Sequence, residues 1–347
     1  MSTDPDIESD QQAGCLHPRD RYDLIGHDRA ETDFANAWAS GNFHHAWLIT
    51  GPKGVGKASL AWRAARRALG ANPASQYGIL GSAPDDPVCR LFESQACADL
   101  LVLRRPWDEK RKRWRAEITV DEARKAPKFF EKTAGAGGWR ACIVDGIDDM
   151  NNNAANALLK TLEEPPARGV LFLISHSPGQ LKATIRSRCR RLDLRAPNQE
   201  KTVNWLTNSA NGIDPEQAAS ACKMANNAPG RALELAMSGG VSMSRTVDSL
   251  VGLGTRASPS EVRALAERVS ARNADGLREV FYECLARSMH HRARTRATAG
   301  DDPTSWLDAA AQLQALVRDA DNIYLDARQS ALSALNLARE AARKENA

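Results

Sequence analysis

At 347 residues, with 42% hydrophobic but only 5% aromatic residues, the chain is long enough for two or three packed domains with Ala- and Leu-rich helical interiors. Its net charge of +4, from 47 basic and 43 acidic residues, describes a mixed solvated surface and does not by itself point to nucleic acid or membrane. Seven cysteines with no CxxC pair exclude a disulfide framework and a complete zinc site, and fit reduced thiols in a cytoplasmic protein.

Residues 1–20 begin with a polar, acidic stretch and read as a mobile tail rather than a signal peptide. No run reaches the ~18 apolar residues of a membrane helix, so a soluble chain is expected. From 21 to 195, β-rich runs alternate with helical stretches, the pattern of a parallel sheet covered by helices on both faces. Strands are expected at Ala46–Thr50, Asp99–Leu103, Arg140–Asp145, Val170–Ser175 and Cys189–Leu194. The third and fourth are continuous apolar runs, as strands buried on both faces require.

After Arg195 the β signal ends. A small helical domain is expected over 196–240, with Asp214-Pro215 as a helix cap and Gly239-Gly240 closing it. Residues 241–347 read as an all-α domain suited to oligomerisation. Ser258-Pro259-Ser260-Glu261 is a capping box. Trp306, Leu313, Leu316 and Val317 form one apolar stripe, and Leu325, Leu332 and Leu335 another. Residues 292–303 are expected as a loop.

Two motifs carry chemistry. Gly51-Pro52-Lys53-Gly54-Val55-Gly56-Lys57-Ala58-Ser59 follows an apolar strand and opens a helix, the context of a Walker A phosphate loop. Its glycines let backbone N–H groups curl around a phosphate at a helix N-terminus, and Lys57 would bridge the terminal phosphates. The residue after the lysine should carry a hydroxyl for Mg²⁺, but it is Ala58. Ser59 lies roughly 100° further round the helix. The second motif, Ile143-Val144-Asp145-Gly146, is a strand ending in a Walker B aspartate. Gly146 stands where active members carry the glutamate that handles the attacking water, and Asp148 and Asp149 are expected to face solvent. The two losses together argue against efficient ATP hydrolysis.

These motifs sit in longer strings. His44-His45-Ala46-Trp47-Leu48, the run Asn152 to Pro166 ending Leu-Leu-Lys-Thr-Leu-Glu-Glu-Pro-Pro, and Ala183 to Arg190 with its Ser187-Arg188-Cys189 box resemble the AAA+ clamp-loader family. The resemblance runs from about residue 17 to 240, and within the family it is nearest the delta-prime branch of alphaproteobacterial type. It implies an AAA+ RecA-like sheet, a helical lid, a helical collar, and a subunit of a DNA polymerase holoenzyme with little ATPase of its own. The implied partners are gamma/tau-like and delta-like subunits, a sliding clamp and primed DNA. It implies that Arg188 acts as an arginine finger in a neighbouring ATP site, a use suited to a permanently charged planar fork. Cys189 reads as packing rather than a nucleophile.

Ser175-His176-Ser177 occupies the place of a nucleotide sensor, with His176 read as a loop histidine. Gly230-Arg231-Ala232-Leu233 resembles a second sensor, with Arg231 offset by one. Many relatives carry four zinc-binding cysteines after the first helix; only Cys89 and Cys97 lie there, so no zinc is expected. Arg104-Arg105 and Lys110 to Arg115, with Trp107 and Trp114, form the densest basic stretch. It reads as a DNA-facing platform or a solvated hairpin. Two rival functions remain at this point: an active gamma/tau-type ATPase, and a stand-alone DNA-binding module.

Overall fold

The computed structural model describes residues 8–345 except 42, 133, 136, 137, 210, 211, 272, 273, 324 and 325. Residues 1–7 of the expected tail and Leu325 of the second apolar stripe lie outside the described residues. The chain forms two compact units that meet between Glu234 and Leu235.

In the first unit, α1 (Asp28–Ala39), β1 (Ala46–Thr50) and α2 (Lys57–Ala68) are followed by α3 (Pro87–Glu93), β2 (Leu100–Leu103) and a hairpin of β3 (Trp107–Asp108) and β4 (Arg113–Trp114). Next come α4 (Val120–Ala123), α5 (Lys125–Phe130), β5 (Arg140–Asp145), α6 (Asn152–Glu163), β6 (Gly169–Ser175), α7 (Ala183–Arg186) and β7 (Arg190–Asp193). Then come α8 (Gln199–Ser209) and α9 (Pro215–Met224), and α10 (Pro229–Met237) contains the division between the two units.

The five long strands form one parallel sheet in the order β2-β5-β6-β1-β7. Strand side chains alternate between faces, and each face has its own helical cover. Trp47, Ile49, Ile143 and Phe172 pack with Phe34 of α1 and Leu60, Ala61 and Ala64 of α2. Leu48, Val144, Leu171 and Leu173 face the other way, toward Leu158 and Leu162 of α6 and Ile185 of α7. This is the parallel sheet with helices on both faces that the alternating pattern predicts, and it brings the C-terminal ends of β1, β5 and β6 to one edge.

Two sequence expectations in this unit need correction. β7 is an edge strand, paired only with β1, in which Leu192 alone is buried. Cys189 precedes it rather than opening a buried strand, because Arg190, Arg191 and Asp193 need solvent. Residues 8–20 are not a loose tail: Arg66 donates hydrogen bonds to the carbonyls of Arg19 and Arg21, and the His17 ring stands edge-on to Trp62 with centroids 5.4 Å apart.

The second unit is wholly helical among the described residues, with α11 (Gly240–Leu253), α12 (Pro259–Ser270), α13 (Asp275–Ala299), α14 (Thr304–Ile323) and α15 (Ala327–Glu345). α13 packs against both α11 and α14, and α15 against α12 and α14. Trp306, Leu313 and Leu335 from the predicted stripes are buried. The loop expected over 292–303 is a correction: α13 runs on through Ala299 and ends at Gly300, whose φ of +83° terminates it. Arg and Ala are good helix formers, and nothing before Gly300 breaks the run. No helix of the described residues is long and apolar enough to cross a membrane.

Candidate functional site

β1 leads into a loop that returns as α2, whose first residue is Lys57. The lysine is 3% exposed, and its Nζ donates to the carbonyls of Gly51 and Pro52, each at 2.7 Å. Burial pulls its ammonium down to about 8, while Asp145 and Asp148 pull the other way. Gly54 allows a close backbone approach. It has φ +75°, a Cβ there would lie 2.3 Å from the Arg231 nitrogen, and its carbonyl accepts a 2.8 Å hydrogen bond from Gly230 N. On the opposite flank, His27 Nε2 lies 2.7 Å from the Val55 carbonyl. Gly51, Gly54 and Gly56 therefore form a tight strand–turn–helix loop around Lys57, and Ala58 places a methyl group, not a hydroxyl, directly after the lysine, with Ser59 one position further on.

Asp145 ends β5 beside this loop, with its Oδ2 buried and unpartnered. Burial pushes its carboxyl up, the charge of Asp10 adds to that, and Lys57 opposes it. Gly146 has φ +80°, and a Cβ there would lie 2.8 Å from Asp149 Oδ2. The glycine thus serves a left-handed turn that other residues adopt at a cost.

The expectation that Asp148 and Asp149 simply face solvent is corrected. Asp148 accepts hydrogen bonds from Ser175 Oγ at 2.8 Å and from the His176 backbone N–H. Asp149 pairs with Arg105 at 3.5 Å. The wholly buried Ser175 hydroxyl is therefore directed at a carboxylate of its own chain. Sequence reasoning missed this pairing because it joins two loops that meet only when β5 and β6 pair.

Arg188 stands apart from that cluster in its chemistry. Its side chain is 36% exposed. One guanidinium nitrogen donates to the Thr184 carbonyl at 3.0 Å, and the other lies 3.0 Å from Glu163 Oε1, at the end of α6. Two anchors on a planar fork fix its direction and leave it reachable from outside. Ser187 Oγ lies 3.5 Å from the same guanidinium, and Cys189 is half-buried with its thiol pushed up to about 12 by burial, which makes it a poor nucleophile. Glu163 was not singled out from sequence. Its signal was its place in the Leu-Glu-Glu-Pro-Pro string.

Arg231 is buried and pairs with Glu234 on its own helix. Trp107 and Trp114 face each other across the basic hairpin, centroids 5.2 Å apart, while Asp108 and Glu109 pair with Arg115 and Lys112. Glu8, Asp10 and His17 bring ligand-type atoms within 4.8 Å of one another, a grouping absent from the sequence reading. Arg104 lies on both carboxylates and Arg19 on Glu8, so cationic side chains already occupy the cluster.

The family model described as DNA polymerase III, delta subunit, matches residues 26–198, from the start of α1 through β7, which includes the Lys57 loop, Asp145 and the Ser187-Arg188-Cys189 box. The chain belongs to this family. It is 35% identical over 220 residues to the DNA polymerase III subunit delta' of Pseudomonas aeruginosa, an alignment covering 63% of this chain and 59% of that protein. It is 32% identical over 199 residues to the subunit delta' of Escherichia coli, covering 57% and 56%. With the tau subunit of Escherichia coli, identity is 28% over 197 residues, covering 56% of this chain and 28% of that protein. The chain therefore spans less than two thirds of the length of the delta' relatives it matches. The delta-prime-like reading of the motifs agrees with this order of similarity.

Proposed function

We propose that this chain is a clamp-loader subunit of DNA polymerase III that completes a neighbour's ATP site with Arg188 and does not turn ATP over at its own. In this reading it assembles with gamma/tau-like and delta-like subunits to place a sliding clamp on primed DNA. Residues 196–240 act as a lid and 241–347 as the oligomerisation domain. The observation that carries the proposal is the anchored, outward-reaching Arg188 on a chain whose hydrolytic positions are Ala58 and Gly146. A guanidinium held by Glu163 and Thr184 needs little reorganisation to meet the charge that grows on a transferring phosphoryl group.

At the chain's own site, the loop and Lys57 fit phosphate binding. Magnesium-assisted hydrolysis lacks both a hydroxyl at 58, directly after the lysine, and a carboxylate at 146. Asp148, which could have substituted, already accepts two hydrogen bonds.

The test is Arg188→Ala in the assembled complex. Arginine fingers are worth roughly 10³–10⁵ in rate where they dominate a site. With other sites intact, total ATPase should fall partially while assembly is normal, and Arg188→Lys should rescue poorly. Unchanged ATPase and clamp loading in a normally assembled variant would exclude the role in trans.

A further inference from the structure

The described segment from residue 8 to residue 17 runs beside the phosphate-loop site and is bonded on both sides of it. On the β2 side, Arg104 lies on Glu8 and, at 2.5 Å, on Asp10. Ser9 Oγ donates to the Arg105 carbonyl at 2.9 Å. His17 Nε2 lies 3.1 and 3.2 Å from the same two carboxylates. On the α10 side, Gln12 Nε2 donates to Glu234, and Cys15 Sγ lies 3.9 Å from the Gly230 carbonyl. Gly230 in turn donates to Gly54 of the phosphate loop at 2.8 Å. The Asp10 side chain is fully buried, and its charge reaches Asp145.

These contacts form a continuous chain: the end of β2, the acidic segment, the first turn of α10, the phosphate loop. We propose that residues 8–17 are a built-in strap that closes this chain's own nucleotide pocket, tying Arg104 at the end of β2 to the α10 turn that is hydrogen-bonded to the phosphate loop. The inference rests on reading residues 51–58 as a nucleotide pocket. Nucleotide enters only when the strap lifts, whether or not the site can then hydrolyse it. An acidic strap suits this task, because its carboxylates engage Arg104 and so withhold one cation from an incoming phosphate.

The test uses the full chain, a chain lacking residues 1–12, and a double variant Glu8→Gln with Asp10→Asn in case truncation impairs folding. Binding of a fluorescent, non-hydrolysable ATP analogue is measured with and without Mg²⁺, alongside hydrogen exchange at residues 54–57 and 229–234. Loss of the strap should tighten analogue binding at least tenfold, in a manner abolished by Lys57→Ala, and should raise exchange in both segments. Unchanged binding or unchanged exchange in folded variants overturns the strap. ATP turnover distinguishes this result from failure of the proposed function. If the strapless chain binds the analogue without hydrolysing ATP, both readings stand; if it hydrolyses ATP at roughly 1 s⁻¹, the strap stands and the inactive-site reading falls.

Discussion

Placing threonine at 58 and glutamate at 146 should not create an ATPase, and the cost of the second change follows from the turn that Gly146 occupies. Gly146→Glu places a side chain at φ +80°, a left-handed conformation that costs a non-glycine residue about 1–2 kcal/mol. Its Cβ would also meet Asp149 Oδ2 at 2.8 Å, so Asp149 must move and give up its 3.5 Å pairing with Arg105. That pair is partly exposed and contributes under about 1 kcal/mol. The new carboxylate adds repulsion beside Asp149, whose own carboxyl burial already pushes up. The sum is about 2–3 kcal/mol of destabilisation; Gly146→Ala, with the same backbone strain and the same Cβ contact but no added charge, should lose about 1–2.5 kcal/mol. Denaturant midpoints at constant slope give these values, and phosphate release from the Ala58→Thr/Gly146→Glu double variant gives turnover. If Gly146→Glu were as stable as the wild type and the double variant hydrolysed ATP at roughly 1 s⁻¹, the glycine would be a simple lost acid and the argument from the turn would be refuted.

Glu163→Ala should free the Arg188 guanidinium and lower complex ATPase in the same direction as Arg188→Ala but less, while Glu163→Gln, which keeps an acceptor, should stay nearer the wild type. Glu31→Ala should cost about 3–5 kcal/mol in a denaturation experiment, because it strands the buried Arg63 that Glu31 holds at 2.6 Å. Lys57 supplies a pH test. Its native pKa of about 8 lies below the unfolded value, so its charge burdens the native state below pH 8, and the burden lifts as pH rises from about 8 toward 10.5. The stability of the wild type relative to Lys57→Gln should therefore rise by about 1–2 kcal/mol between pH 7.5 and 9.5; a flat difference would contradict the burial of the charged group.

Much of the first unit was legible because its signals are local. The expected bounds of β1 and β5 coincide with those observed, since an apolar run between turn residues needs no distant information. The glycine-rich loop before Lys57, Asp145 at the end of β5 and the Ser187-Arg188-Cys189 turn lie where local spacing put them, because each sits on one strand–turn–helix or helix–turn–strand. Edge position was not legible. Arg190 and Arg191 looked compatible with a last core strand until the pairing left β7 with one neighbour. The loop assigned to 292–303 failed because a basic, alanine-rich stretch reads equally well as a solvated helix.

What the sequence determined alone was the set of groups available: a glycine-rich loop before Lys57 with no hydroxyl at 58, no acid at 146, and an arginine in a Ser-Arg-Cys box. What only tertiary structure decided was where those groups point and what already holds them. Asp148 and Ser175 meet because β5 and β6 pair. Glu163 meets Arg188 because α6 and α7 cover one face of the sheet. Glu8 and Asp10 reach Arg104, close to a hundred residues along the chain, because the N-terminal segment folds back beside the loop. Such long-range pairs leave no periodicity in the sequence. Their charges are paired only after the hydrophobic layers have packed and brought them together.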